Sequence, residues 1–241
     1  MRELTAQFLA LAEKQGAPSP LMLGHRLMGH SLLNLGNPAE GRAHLDRAIA
    51  LYDPVEHRPL ATRFGQDSRV TILSRRSLAH WLLGYPDPAL ADADHAINDA
   101  RETGHAATLM YALAIGGPLT HVLCGSYAAA TAQADEVVAL ADEKGALLWR
   151  ALGMMDQGLL FALTGKPLHA VQLLNSAIDG WRSTGSAASL PFVLSYLASA
   201  YADAGQFDDA WYRIDDATTA VGTTKERWCE RTSIESREKS R

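Results

Sequence analysis

Aromatic side chains are scarce in this sequence of 241 residues: phenylalanine, tryptophan and tyrosine together make up 7%. Only two cysteines occur, Cys124 and Cys229. Two thiols cannot build a disulfide framework, so the expected compartment is a reducing one, the cytoplasm. An excess of positive charge is also missing. Lysine and arginine number 22 against 27 acidic residues, a formal net charge of -5, which argues against binding nucleic acid through charge. No apolar run reads as long enough to span a bilayer, and no membrane partner is expected. The opening MRELTAQFLALAEKQG carries Glu3, Glu13 and Lys14 and has no small-residue cleavage site, unlike a secretory signal. What is abundant is alanine and leucine, which supply nearly a third of the chain. With 47% hydrophobic residues the sequence is too apolar to be disordered. Its length suffices for one large domain or two small ones.

The chain repeats itself. Gly36, Gly84, Gly125, Gly165 and Gly205 recur in matching surroundings at spacings of 48, 41, 40 and 40 residues. Five positions on stand Ala89, Ala130, Ala170 and Ala210, with Gly41 the exception. Twelve positions on stand Ala48, Ala96, Val137, Ala177 and Ala217. A second glycine follows twenty positions after three of them, at Gly104, Gly145 and Gly185. Apolar residues at helical spacing flank each turn glycine. A glycine between two such patterns supplies the positive φ that ends the first helix. Pro38, Pro86 and Pro167 then suit the start of the next. Each unit therefore reads as a helix–turn–helix hairpin that buries its apolar face only by stacking on neighbours.

The glycine, the alanine at plus five and the alanine at plus twelve resemble the second half of a tetratricopeptide (TPR) repeat. Gly29 and Gly158 stand seven before their turn glycines, where that repeat has a small residue, and Tyr201 stands four before Gly205, where it has an aromatic. The expected fold is an all-α, TPR-like solenoid of about five repeats of ~40 residues, wound as a right-handed superhelix. The period exceeds the usual 34 residues, which calls for longer helices or turns.

The segment 1–16 matches the second half of a unit and is expected to be the second helix of an incomplete repeat, exposing an apolar edge with Phe8, Leu9 and Leu11. It reads either as the remainder of something longer or as an N-terminal cap. Residues 17–222 form the expected repeat domain. An irregular insert at 53–67 interrupts it, where Pro54 and Pro59 prevent a continuous helix. His57, Arg58, Phe64 and Asp67 make this insert either a binding loop or a structural plug. Gly116-Gly117-Pro118 predicts a kink inside the first helix of the third unit. Residues 223–241 are expected to be a polar tail, with Trp228 giving one more packed turn and the end frayed.

Catalytic motifs are not legible. Gly165-Lys166 is followed by proline, not the serine or threonine of a phosphate loop. The nine histidines form no HExxH and no pair four apart, so no metal or cofactor is expected. Cys124, in the apolar run HVLCG, reads as a buried structural thiol. Asp92/Asp94 and Asp208/Asp209 read as acidic residues near helix starts that complement the dipole. Arg75 and Arg76 read as solvated or ion-paired. The resemblance to TPR arrays implies that first helices line a concave groove. Its residues, by offset from the turn glycine, are Arg26, His30 and Asn34, then Ser74, Leu78 and Trp81, then Ile115, Leu119 and Val122. Met155, Leu159 and Ala162 follow, and last Ser195, Ser199 and Asp203. The ends of this groove are polar and its middle apolar, which suits an amphipathic helix or an apolar ligand unless the residues are buried within the stack.

One stretch is more specific. Tyr52, His57, Phe64-Gly65-Gln66-Asp67, Trp81 and Leu83-Gly84-Tyr85-Pro86 resemble the C-terminal TPR region of bacterial signalling proteins that join a class III adenylate/guanylate cyclase domain to an ATPase domain. Gly145 to Trp149, Gly180 to Gly185 and Glu226-Arg227-Trp228 also fit, and the sequence departs from the pattern at Cys229. The resemblance implies a non-catalytic regulatory or protein-interaction module. Its partner would be a cyclase or ATPase domain in cis or in trans, or a second copy through the N-terminal edge.

Overall fold

The computed structural model describes residues 2–229 and is all-α, with no strand among the described residues. The chain divides between Ser126 and Tyr127 into two compact units, inside the range expected to form one repeat domain. Unit 1 begins with α1 (Arg2–Gln15), α2 (Pro18–Asn34) and α3 (Pro38–Ala50). The insert follows as α4 (Pro54–His57), a short 3-10 turn (Arg58–Leu60) and α5 (Ala61–Phe64). Then come α6 (Ser68–Leu82), α7 (Pro86–Thr103), α8 (Ala106–Tyr111), a π-helical stretch (Ala112–Gly116) and α9 (Gly117–Leu123). Unit 2 holds α10 (Tyr127–Lys144), α11 (Leu147–Leu163), α12 (Pro167–Ser183), α13 (Leu190–Asp203) and α14 (Phe207–Thr224). The helices α2 and α3, α6 and α7, α11 and α12, and α13 and α14 pack as antiparallel hairpins in chain order. Several helices run to 17 or 18 residues, which accounts for the long period.

The turns show why glycine recurs. Gly36 has φ 80°, its N–H donates to the Leu33 carbonyl at 2.9 Å, and the Asn37 N–H donates to the Leu32 carbonyl at 2.9 Å. This Schellman pair closes the end of α2, and it needs a left-handed residue. The turns at Gly84, Gly125 and Gly205 repeat both bonds, and Gly165 has the same positive φ. Inside the hairpins small residues set the distance between helices. A Cβ on Gly29 would lie 2.7 Å from Leu45 Cγ and 2.9 Å from the Gly41 carbonyl oxygen. Gly41, the exception to the alanine rule, is therefore the other side of the closest crossing in the first hairpin. Ala48, Ala89, Ala96, Ala130, Ala170, Ala177, Ala210 and Ala217 are all buried. The core of unit 1 runs through Met22, Leu33, Leu45 and Ile72, and that of unit 2 includes Leu159, Leu174, Ile178, Leu194 and Leu197.

Four expectations need correction or completion. The break expected at Gly116-Gly117-Pro118 takes the form of a π-helical turn just before Pro118. Gly116 lies so close to α6 that a Cβ there would be 2.6 Å from the Ser74 side chain, so the widening coincides with close packing on α6. Second, Ala106–Leu123 is apolar and long enough to cross a bilayer by length and composition, and 61% of that window is buried against the rest of the fold. It is a core segment that contacts α6 and α7. Third, Asp92 is not a dipole residue. It lies beyond the first turn of α7, is buried, and takes two bonds from the Arg76 guanidinium, at 2.6 and 2.8 Å. Fourth, Cys124 is half-buried, not fully buried; burial and then Asp87 raise its thiol pKa and hold it as the unreactive thiol.

At the other end, α14 runs to Thr224, two residues past the expected domain limit. The Glu226 carboxylate accepts the Ser189 N–H at 2.9 Å, and the Trp228 ring lies 4.9 Å from that of Phe192. The Glu226-Arg227-Trp228 step thus closes the start of α13. The expected frayed end lies outside the described residues.

Candidate functional site

The insert is built around buried polar groups. The Asp53 N–H donates to His57 Nδ1 at 2.8 Å, which leaves the proton on Nε2, and Nε2 donates to Ser19 Oγ at 2.8 Å. His57 is 1% exposed. Tyr52 donates its hydroxyl to Asp67 at 2.8 Å, and burial and then that bond raise the phenol pKa. Asp67 also accepts from the Arg69 and Val70 amides at the start of α6, while its own N–H donates to Thr108 Oγ1 at 3.0 Å. One side chain therefore caps α6 and anchors the insert, and its backbone ties both to α8. Arg58 and Phe64 point outward, Arg58 at 3.4 Å from Glu102 and Phe64 at 39% exposure. Of the two readings of the insert, His57 and Asp67 have the contacts of a plug.

The residues expected in the groove do not share one environment. Ser74, Leu78, Val122, Met155, Leu159 and Ser195 are buried. Arg26, His30, Asn34, Trp81, Ile115, Leu119, Ala162 and Ser199 keep partial access to solvent, and Asp203 is exposed. Trp81 is fixed by an indole N–H bond to the Leu123 carbonyl at 3.1 Å.

The polar residues of the first set of helices come together. Arg26 Nη1 donates to Thr71 Oγ1 at 3.0 Å, joining α2 to α6. One turn along α2, His30 Nε2 faces the Asn34 amide at 3.3 Å. Arg75 Nε donates to the Tyr111 hydroxyl at 3.1 Å, joining α6 to α8. The positive charge of Arg75, followed by burial and then Arg26, holds the His30 imidazole well below its ordinary pKa, so it is neutral at pH 7. Burial also lowers Arg26, with Tyr111 opposing. Offsets from the turn glycine pointed to Arg26, His30 and Asn34 but missed Thr71, Arg75 and Tyr111. On α6 the reachable residue is Arg75, one position past the expected Ser74. A signal was present in the spacing: Thr71 and Arg75 are four apart, as are Arg26, His30 and Asn34.

Unit 2 carries a different feature. Asp156 on α11 is buried, its Oδ2 has no hydrogen-bond partner among the described residues, and burial raises its pKa well above the carboxylate range. Among the described residues no three His, Cys, Asp or Glu side chains group as metal ligands.

Hairpins closed by left-handed glycines, small residues at the crossings and side chains presented by first helices define a TPR-like helical repeat fold. Solved structures agree. The chain is similar to the apo form of RapI, with a TM-score of 0.57 at 13% identity, over 85% of this chain and 71% of that one. It is similar to the nearly identical TPR-like repeats of a kinesin-light-chain-type protein of Podosopora anserina, with a TM-score of 0.56 at 16% identity, over 86% and 97%. Aspartyl phosphate phosphatase F from Bacillus subtilis gives a TM-score of 0.58 at 11% identity, over 90% of this chain and 55% of that one. No protein-family model and no curated protein sequence matches the chain.

Proposed function

We propose that the chain is a non-catalytic regulatory module of the protein-interaction type, related to the TPR region of cyclase–ATPase signalling proteins. The observation that carries this reading is the stack of hairpins itself, which resembles TPR-like repeat structures over most of its length. In such a stack the recurring residues are structural: turn, crossing and cap. The kinship to cyclase–ATPase proteins rests on the sequence resemblance; in the fold its residues Tyr52, His57 and Asp67 make one connected set of contacts. A chain with only two cysteines suits a cytoplasmic setting.

The partner in this reading is a cyclase or ATPase domain, in cis or in trans, or a second copy. The outer face of α1 supports the last of these: Leu4, Phe8 and Leu11 are 73%, 38% and 54% exposed at helical spacing. Two measurements test the reading. Purified class III cyclase and ATPase domains from the same genome, titrated with the chain in a calorimeter, are expected to show saturable binding. Light scattering is expected to show self-association that Phe8→Glu abolishes. Failure of both domains to bind, with a monomer at high concentration, or nucleotide turnover by the chain alone, overturns it. The alternative of an apolar ligand in the groove loses support, since Leu78, Val122, Met155 and Leu159 are already buried by protein.

A further inference from the structure

Arg26 and Arg75 are half-buried arginines without a carboxylate among the described residues. Arg42, Arg58, Arg69 and Arg76 each face a carboxylate within 4 Å, and Arg47 and Arg63, which show none among the described residues, are exposed to solvent. Arg26 and Arg75 face none among the described residues; each is satisfied only by a neutral hydroxyl, Thr71 for the first and Tyr111 for the second. The Nε of Arg26 is buried and has no partner among the described residues. Both guanidinium charges act on the neutral His30, and the Arg26 bond to Thr71 sets it one turn of α6 from Arg75, so the three lie in one half-buried region. Partly buried charge without a counter-charge is costly, and an anion bound there would offset that cost.

The chemistry of that anion follows from the charges. Two fixed positive charges match a dianion, while a single carboxylate leaves one of them uncompensated. Guanidinium forks fit the oxygens of phosphate, and the Tyr111 hydroxyl lies against one of them. An apolar ligand would desolvate both charges and return nothing. We propose that α2, α6 and α8 form a binding site for a phosphate monoester dianion on a small soluble ligand, held by Arg26 and Arg75 with His30 and Tyr111 beside them. The site is independent of the partner reading above, and either can fail alone.

The full chain at pH 7.5 and fixed ionic strength is titrated with phenyl phosphate and, separately, with acetate, following the arginine Nε–H and His30 ring resonances. Phenyl phosphate is expected to saturate and shift the Arg26, Arg75 and His30 signals; acetate is not. Arg75→Gln is expected to weaken phenyl phosphate binding about tenfold or more, the loss of a charged hydrogen-bonding partner. A second readout separates site from scaffold. The groups facing His30 are Arg26, Arg75 and Asn34, with Tyr111 bonded to Arg75. Arg75→Gln alone is expected to raise the His30 midpoint, and so is sulfate on the wild type, because each offsets the charge that holds it down. Should Arg75→Gln not fold, Arg75→Lys keeps the charge without the fork and is expected to bind more weakly than the wild type. Equal shifts with acetate, unperturbed Arg26 and His30 signals, or wild-type affinity in the Arg75 variant overturns the proposal.

Discussion

Gly29 and Gly222 are the same residue type with opposite consequences. Both lie within helices, where glycine costs backbone entropy relative to alanine. At Gly222 an added Cβ meets nothing within 4 Å among the described residues, so Gly222→Ala is expected to stabilise by up to about 1 kcal/mol. At Gly29 the added methyl meets Leu45 Cγ at 2.7 Å and, worse, the Gly41 carbonyl oxygen at 2.9 Å. Backbone cannot rotate aside as a side chain can, so the two helices of the first hairpin must part. Gly29→Ala is expected to destabilise by about 1–3 kcal/mol. Thermal unfolding of both variants checks the pair, and equal effects would mean that the crossing is looser than the geometry shows. The position of Gly29 was legible in the sequence as the small residue of the repeat. Its partner was not: nothing in a one-dimensional pattern says that Gly41 replaces alanine because a carbonyl of the opposite helix lies there.

Among elements, the insert shows what composition conceals. Two prolines and a run of polar residues read as an open loop, and the sequence left loop and plug undecided. The difference lies in hydrogen bonds that span 15 to 41 positions, Tyr52 to Asp67 and Asp67 to Thr108, which no local pattern encodes. Asp67 caps α6 through two amides and accepts a bond from the Tyr52 hydroxyl, so its loss removes three bonds at one point. Asp67→Ala is expected to cost about 1–2 kcal/mol, the upper range for a helix cap, and to loosen the insert first. Denaturant unfolding gives the first quantity. Hydrogen exchange gives the second, as faster exchange at the His57 and Thr71 amides, which bond back to Asp53 and Asp67 in the wild type. A variant of wild-type stability and protection would show that the cap is dispensable. The same limit explains the site. Hydrophobic period and turn glycines located the first helices, but did not show that Ser74 packs against Gly116 of the π-helical turn while Arg75 stays partly accessible.

The whole molecule divides its titrating groups between its two units. His25, His30, His44 and His80 all lie in unit 1, and each has its pKa lowered below the ordinary 6.5. Burial leads for His25, His44 and His80, and the charge of Arg75 leads for His30. His25 and His44 also share a bond, Nδ1 to Nδ1 at 2.9 Å, which requires one ring to keep its acceptor nitrogen free of a proton. In the unfolded chain these histidines take up protons near 6.5; in the folded unit they resist until lower pH. Their contribution to stability is therefore complete above 6.5 and is lost as pH falls through the lowered values. Unit 2 carries the opposite case. Burial raises Asp156 well above the ordinary carboxylate range, so the folded state holds its proton more firmly than the unfolded one. Its contribution is present at low pH and lost as pH rises through the raised value. Between pH 7.5 and 5.5 the stability of unit 1 is expected to fall while that of unit 2 holds or rises. Hydrogen exchange at the two pH values, corrected for the intrinsic rate, reads both units in one sample. Protection should drop across α2, α3 and α6 and persist across α11 and α12. Asp156→Asn sharpens the test: it removes the ionisation, and unit 2 should gain protection at pH 7.5 and lose its dependence on pH. Parallel loss of protection in both units, or an Asp156→Asn variant no more protected than the wild type at pH 7.5, would show that these buried groups do not govern the response.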